Sequence, residues 1–485
     1  MPVPVPELAG AAFLFLDLEV EAGGHVLLGH ALGESELGQR SDLVGHDLVA
    51  GGFDGGDDVV NQHPEILPVA YRHAATALLS VNQARERINA MLAVLEAERV
   101  AIADARERVL AAPVVAGRDL PGFDNSSMDG FAIRAGDVSQ AEATAPVRLR
   151  VTGISAAGGA FAGEVAPGTA VRIMTGAPIP RGADAVIEVE ETSMDGESVL
   201  VRRAAAVGRN LRPAGGDLRR GELALERGAH VGPAQLALLA ALGTETVGCV
   251  RRPVVALVPT GDEVVDAGHE PGADQLYDAI TPALAAAVSA VGGLPMRVLR
   301  ARDDVDDVRR ALRQAAEADF VLSVGGVSVG DRDLVRPVVE ELGELDFWKV
   351  AVRPGKPLAV GRVLGKPFVG LPGNPVSALV GFEVFVLPAL LAMGGRGGWQ
   401  RPSVTAELTE PLDTPQGLRT FARARLEARP DGPPLAHPAP GQGSHQVRWL
   451  ARSNALLDIP EGVGVLPAGA SVVALLVDQP PGPPL

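Results

Sequence analysis

The stretch Val254–Glu263, VVALVPTGDE, runs five apolar residues into Pro-Thr-Gly and two acids. A short apolar run closed by a turn reads as a strand buried on both faces. The segments after it alternate between helix and strand patterns: ALAAAVSAVGG, PMRVLRARDD, VRRALRQAAEA and DFVLSVGG. Buried strands alternating with helices predict a parallel sheet in an α/β layer.

The turns that close these strands carry the chemistry. PTGDE (259–263) and SVGGVSVGDRD (323–333) each follow a strand pattern. RPGKP (353–357) lies between short strands, and GLPGNPVS (370–377) leads into a long helix. Ligands of open α/β sheets bind at the carboxyl ends of strands. Glycine lets backbone N–H groups approach an anion there, so the four turns together describe a phosphate or oxyanion cradle. A Walker A loop is excluded because GRVLGKP has the wrong spacing and no Ser or Thr follows Lys366, and a dinucleotide fingerprint because no G-x-G-x-x-G occurs in context.

Acids gather at the same turns: Asp262, Glu263, Asp303, Asp304, Asp331 and Asp333. They are either solvated charges and helix caps, as Asp304 would be, or oxygen ligands for Mg²⁺ beside a phosphate. Lys349 and Lys356 are two of only three lysines, which points to ammonium groups beside an oxyanion.

Outward from this layer the chain changes character. Residues 1–78 hold five of the nine histidines at spacings that match no metal pattern, and read as a disordered extension or an over-called start. Ser80 can cap a helix over VNQARERINAMLAVL, and a second helix is predicted over Ile102–Ala111. VRLRVTGIS, GTAVRIMTG, DAVIEVEET and SVLVRRA predict a small β-rich domain. PAQLALLAALG is a helix with Pro233 in its first turn, and the strands beyond Trp399 fit a terminal β-barrel.

A net charge of −17 argues against nucleic-acid and anionic-membrane partners. Cys249 is alone, so no internal disulfide or thiolate cluster can form, and it reads as a small buried hydrophobe. No apolar run reaches the roughly 20 residues that span a bilayer; Leu379–Met393 comes closest but contains Glu383 and Pro388. The expected location is cytoplasmic. The loop Pro121–Phe131, PGFDNSSMDGF, is an Asx-rich exposed turn that either shapes the backbone or presents Asp129 to a ligand.

PGFDNSSMDGFA, RIMTGAPIP, PTGDE, SVGGVSVGDRD, FWKVAVRPGKP and GLPGNPVS occur in this order. In that set the chain resembles the molybdopterin molybdotransferases, the MoeA and gephyrin E-domain family, from about Leu79 to Val477. The resemblance implies a multidomain α/β chain. A MogA-like parallel-sheet domain for molybdopterin would span 252–398, and a discontinuous helical and β dimerisation domain 79–120 and 216–251. The small β-rich domain would span 121–215 and the β-barrel 399–485.

The implied activity is a transferase's: insertion of molybdate into adenylylated molybdopterin, with Mg²⁺, giving molybdenum cofactor and AMP. Molybdopterin adenylylation and non-enzymatic cofactor delivery are the alternatives. The implied assembly is a homodimer whose cleft joins the α/β domain of one subunit to the small β-domain of the other. Transient contact with the adenylyltransferase and with cofactor-accepting enzymes would follow.

Carried over, Asp129, Thr175 and Asp217 would line the cleft from the partner's side. Glu263, Asp303 and Asp333 would serve Mg²⁺ and the pterin phosphate, with Lys349 among the catalytic groups. Gly261, Asp262, Asp278, Ser323, Gly325, Gly326, Ser328, Pro372, Gly373, Asn374 and Pro375 would bind the substrate. Molybdate would lie near Arg353, Lys356, Pro357, Ser377, Arg423 and Ser444. Three positions depart from the family pattern: Arg353 where lysine is common, Gly216 where an acid is usual, and Ala279-Ile280 where a hydroxyl residue and asparagine are usual.

Overall fold

The structure is a computed structural model that describes residues 78–327 and 334–482. The histidine-bearing segment read as an extension therefore lies outside the described residues, apart from its last position. Helix α1 (Val81–Ala90) opens with the expected cap: Ser80 Oγ accepts the Gln83 N–H, and Gln83 Oε1 accepts the Ser80 N–H. It ends at Ala90, five residues short of the sequence expectation, with Met91 as its C-cap. Its buried face (Val81, Ala84, Ile88) enters the core of the α/β layer, so this segment packs apart from the strands that follow it.

The helix expected over Ile102–Ala111 does not form. Strand β1 (Ala97–Ala101) leads instead into a 3-10 turn, Ile102–Asp104, and then extended chain. The cause is tertiary pairing. After helix α2 (Pro233–Ala241), strand β2 (Thr246–Val250) returns antiparallel to β1, and Val109 and Leu110 bridge to His230 and Cys249. These pairings take the backbone groups that a helix would need. Cys249 is fully buried in the small core between these pieces, as its apolar character requires.

The α/β layer follows. It comprises β3 (Val254–Pro259), α3 (Thr281–Ala290), β4 (Leu294–Arg297), α4 (Val305–Ala315), β5 (Phe320–Val324) and α5 (Val335–Leu342). It continues with β6 (Gly343–Lys349), β7 (Pro357–Val363), β8 (Lys366–Leu371), α6 (Pro375–Gly381) and α7 (Leu387–Met393). The strands order β4-β3-β5-β8-β7-β6, with β4, β3, β5 and β8 parallel and the last two antiparallel. The parallel expectation holds for the buried centre, while the two-residue turn Leu364-Gly365 makes β7 and β8 an antiparallel hairpin. Helices α3, α6 and α7 cover one face and α4 and α5 the other.

From β3 the chain crosses leftward to β4, and from β5 it moves rightward to β6, so the strand order reverses between β3 and β5. That reversal opens a crevice at the carboxyl ends of those two strands. Asp304 caps α4 as expected, its Oδ1 accepting the N–H groups of Asp306 and Asp307.

The helical run Pro375–Met393, with a π turn at Phe382–Val386, is long and apolar enough to cross a membrane. Its window is 78% buried within the fold, which makes it a core helix. Glu383 on this run is neutralised by a two-pronged contact to Arg401 at 2.8 Å in each prong.

The small β-rich region forms one six-stranded sheet, ordered Ala185–Glu188, Gly130–Ile133, Thr169–Ile173, Val147–Ser155, Ser198–Val201 and Thr192–Asp195. At the other end of the chain, Arg419–Glu427, Leu435–Pro438, Ser403–Leu408, Ser471–Leu476 and Ala455–Ile459 close on themselves as a five-stranded barrel. The short strand Val352–Arg353 pairs in parallel with Arg419–Thr420, tying the RPGKP turn to this barrel.

Candidate functional site

Three of the four Gly-rich turns meet at the strand-order reversal. After β3, the Thr260 N–H and hydroxyl both donate to Val324 O at 3.0 Å, and after β5 the Gly325 N–H donates to Leu371 O at 3.0 Å. Gly325 and Gly326 turn the chain with φ of 84° and 63°. A Cβ at Gly325 would lie 2.9 Å from the Thr260 hydroxyl, and one at Gly326 would lie 2.6 Å from Val335. Only glycine fits both the handedness and the space. Gly373, at the mouth of α6, packs on Gly325. These contacts form a wall of backbone, and the sequence reading missed the part that Thr260 plays in it.

Carboxylates rim the same crevice. Asp262 and Asp303 are exposed, and Asp262 Oδ1 accepts the Asp303 N–H at 3.4 Å. The Glu263 carboxylate folds back over Gly261, where a Cβ would meet it at 2.5 Å. Asp333 and Ser328 lie outside the described residues. Among the described residues, no three acidic, histidine or cysteine side chains converge as a metal cage. The arrangement still suits Mg²⁺, which binds through one or two carboxylates while keeping waters and substrate phosphates.

Ser323 is fully buried on β5, and its hydroxyl has no hydrogen-bond partner. Asp278 uses Oδ1 to hold the N–H groups of Ile280 (3.0 Å) and Thr281 (2.9 Å) at the start of α3. Its other oxygen is buried and unpartnered. The apolar residue at 280 has a structural reason: Ile280 belongs to the main core.

Basic groups collect one turn away. Lys349, at the end of β6, pairs across the ladder with Pro357, and Arg353 and Lys356 are exposed on the turn between them. Gly355 in this turn approaches Ser377 on α6, which is buried. The Val376 N–H of α6 donates to Ser444 O at 3.0 Å, so the barrel's 441–446 loop reaches the same helix mouth.

Arg423, expected near molybdate, is enclosed by the protein. It is 1% exposed, and its head donates to Gln446 O (3.1 Å) and Gly441 O (2.7 Å), with Gln442 Oε1 beside Nε. Burial lowers its pKa. The group therefore fixes the loop that carries Ser444, and Gln442, which also accepts the Arg423 N–H, is a partner the sequence reading did not name.

The PGFDNSSMDGF loop is built for a fixed carboxylate. Asp129 Oδ1 accepts the Thr175 N–H at 2.6 Å and its hydroxyl at 2.7 Å. These two bonds, with the charge of Arg172, hold the Asp129 pKa below the usual carboxylate value. Gly130 permits this placement, because a Cβ there would overlap Ile187 O at 1.9 Å. Asp124 shapes the turn, accepting the Ala214 N–H at 2.7 Å. Asp217 sits exposed nearby, its N–H donating to Leu120 O. A side chain at Gly216 would lie 3.0 Å from Pro213 O, a tight approach that a small shift of the turn would relieve, so nothing in the structure explains the missing acid. Among the described residues no hydrogen bond joins 121–215 to 252–398, and the hydrogen bonds of Asp129, Thr175 and the Asp217 N–H stay within the N-terminal half of the chain.

Comparison with known proteins finds the same regions in the same order. Residues 79–243 match the MoeA N-terminal region (domains I and II), 256–392 a probable molybdopterin-binding domain, and 405–477 the MoeA C-terminal region (domain IV). A molybdopterin molybdenumtransferase 2 of Mycobacterium tuberculosis is 40% identical over 403 residues, 81% of this chain and 98% of its own length. A molybdopterin molybdenumtransferase of Haemophilus influenzae is 34% identical over 406 residues, again covering 81% of this chain and 98% of its own. The crystal structure of a molybdopterin biosynthesis MoeA protein from Pyrococcus horikoshii superposes with a TM-score of 0.73 at 33% identity, covering 82% of this chain and 99% of that one. The chain belongs to the MoeA family of molybdopterin molybdenumtransferases.

Proposed function

We propose that this chain is the molybdenum insertase of cofactor biosynthesis, joining molybdate to adenylylated molybdopterin and releasing AMP. The observation that carries the reading is the meeting of two unlike surfaces at one sheet edge. A cradle of Thr260, Gly261, Gly325, Gly326 and Gly373 shares that edge with Lys349, Arg353 and Lys356, whose turn approaches Ser377 through Gly355. The first suits a phosphate-bearing pterin, and the second a tetrahedral dianion.

In this reading the glycine turns let backbone N–H groups approach the pyrophosphate that links pterin and AMP. The Ser323 hydroxyl and the free oxygen of Asp278 are buried polar groups without protein partners, which a bound substrate would satisfy. Lys349, Arg353 and Lys356 neutralise molybdate, and Ser377 and the Ser444 loop border its oxygens. Glu263, Asp303 and Asp333 would hold Mg²⁺, which supplies charge stabilisation at the pyrophosphate when bound. Asp129, ionised and fixed by Thr175, enters from a second copy of the chain together with Asp217, and the working unit is a homodimer. The domain limits expected from the sequence are kept in this proposal, except that α1 packs with the α/β layer.

The test incubates the purified protein with adenylylated molybdopterin, Mg²⁺ and molybdate and follows AMP. Release that depends on molybdate supports insertion. Release that ignores molybdate, or adenylylation of molybdopterin from ATP, contradicts it.

A further inference from the structure

A cavity of about 600 Å³ lies at the opposite end of the α/β layer from the strand-end crevice. It is bounded by the turn after β1, by Arg252 just before β3, by the end of α3 and by the chain after α7. Arg106, Arg108, Arg252 and Arg396 line it against Asp104 and Glu107, a local positive surplus in a chain of net charge −17.

The arginines are only partly used by the protein. Arg108 is 7% exposed and donates to Val250 O (3.0 Å) and Glu98, yet its Nε is buried without a partner. Arg396 caps the end of α3 by donating to Val291 O, lies over Trp399 at 5.6 Å, and likewise has an orphan Nε. Arg252 has no side-chain partner among the described residues. Glu107 is already taken, by His230 at 3.1 Å and Arg106 at 3.9 Å.

Burial and the neighbouring charge of Arg252 lower the Arg396 pKa, against the opposing pull of Glu107. Guanidinium groups held this way carry planar donor edges that match phosphate oxygens. The volume falls in the range of small-molecule sites and exceeds what one tetrahedral anion fills.

We propose that this cavity is a second, non-catalytic anion site for a small phosphorylated ligand, with Arg252 as its unpartnered donor and Arg106, Arg108 and Arg396 supplying the surrounding positive charge. It is independent of the insertion site, because it lies at the amino ends of the strands and shares no residue with the crevice at their carboxyl ends.

Titration calorimetry of the full-length protein with pyrophosphate, inorganic phosphate and AMP in separate arms tests this. Arg252→Ala removes a side chain with no structural partner, so melting stays at the wild-type value while affinity at one site per chain falls about tenfold. Asp104→Asn, which removes a repelling carboxylate, tightens the same site, and Lys356→Ala leaves it unchanged. Tightest binding of phosphate, pyrophosphate or AMP identifies the ligand as a free ion, a diphosphate or a nucleotide. Identical isotherms for wild type and Arg252→Ala, or no binding in any arm, overturn the proposal.

Discussion

Asp129 shows how the fold prepares a single carboxylate. One of its oxygens receives two donors from Thr175, which favours the ionised form and lowers its pKa, while the side chain stays exposed. A folded-state pKa below the unfolded value of about 3.9 contributes stability that is fully present above that value and is lost as pH falls through the folded one. Thr175→Val deletes the hydroxyl and keeps the backbone donor. The Asp129 pKa, followed by carbon-13 NMR of its carboxyl group, therefore rises partway toward the ordinary value; an unmoved titration contradicts the assignment. The sequence showed that Asp129 sits in a polar turn, and left open whether it shaped the turn or faced a ligand. The distinguishing partner, Thr175, is 46 residues away, and only the sheet brings it close.

Among the elements, the loop 441–446 is held from inside by Arg423. Three loop oxygens surround a cationic head that has no carboxylate partner, an arrangement lysine cannot reproduce with its single ammonium. Arg423→Lys is expected to free the loop, raising amide exchange at 441–446 and weakening molybdate binding about tenfold. Protected amides with weakened binding would instead make Arg423 a direct ligand.

A second joint is Asp319, which receives Arg251 Nη2 at 2.6 Å and the Val254 N–H at 2.8 Å. Burial raises its pKa, but these bonds and the Arg251 charge outweigh that and bring it below the usual value. Asp319→Asn should cost about 2 kcal/mol in urea unfolding at pH 7, since a hydrogen-bonded charge pair loses one member. The loss should shrink as pH falls through the folded pKa of Asp319. A constant difference down to acid pH contradicts the ion-pair account.

The strands and helices of the α/β layer were legible because their apolar runs are long and punctuated by glycine. Ile102–Ala111 was not, because its periodicity is overridden by pairing with partners more than a hundred residues distant. For the same reason the role of Arg423 was legible only as a basic residue near the site, since the carbonyls that bind it belong to a loop without a sequence signature.

The whole molecule divides its proposed chemistry between two surfaces that no hydrogen bond joins among the described residues. The strand-end crevice holds the cradle and the basic cluster, while the small β-sheet holds Asp129 and Thr175. Family motifs gave both surfaces in order along the sequence. Their separation is visible only in the fold, because spatial order at a sheet edge is set by strand crossings and not by distance along the chain.

A site completed by a second copy makes a direct prediction for mixed variants. In the proposed homodimer, Asp129→Ala and Lys356→Ala each abolish molybdate-dependent AMP release while leaving folding intact. Unfolding and refolding them together in equal amounts places both intact surfaces at one site of each mixed dimer. Release then returns to about one quarter of the wild-type rate, as random pairing in a twofold dimer requires. Mixtures as inactive as the separate variants, with mixed dimers demonstrated by mass, would contradict the shared site.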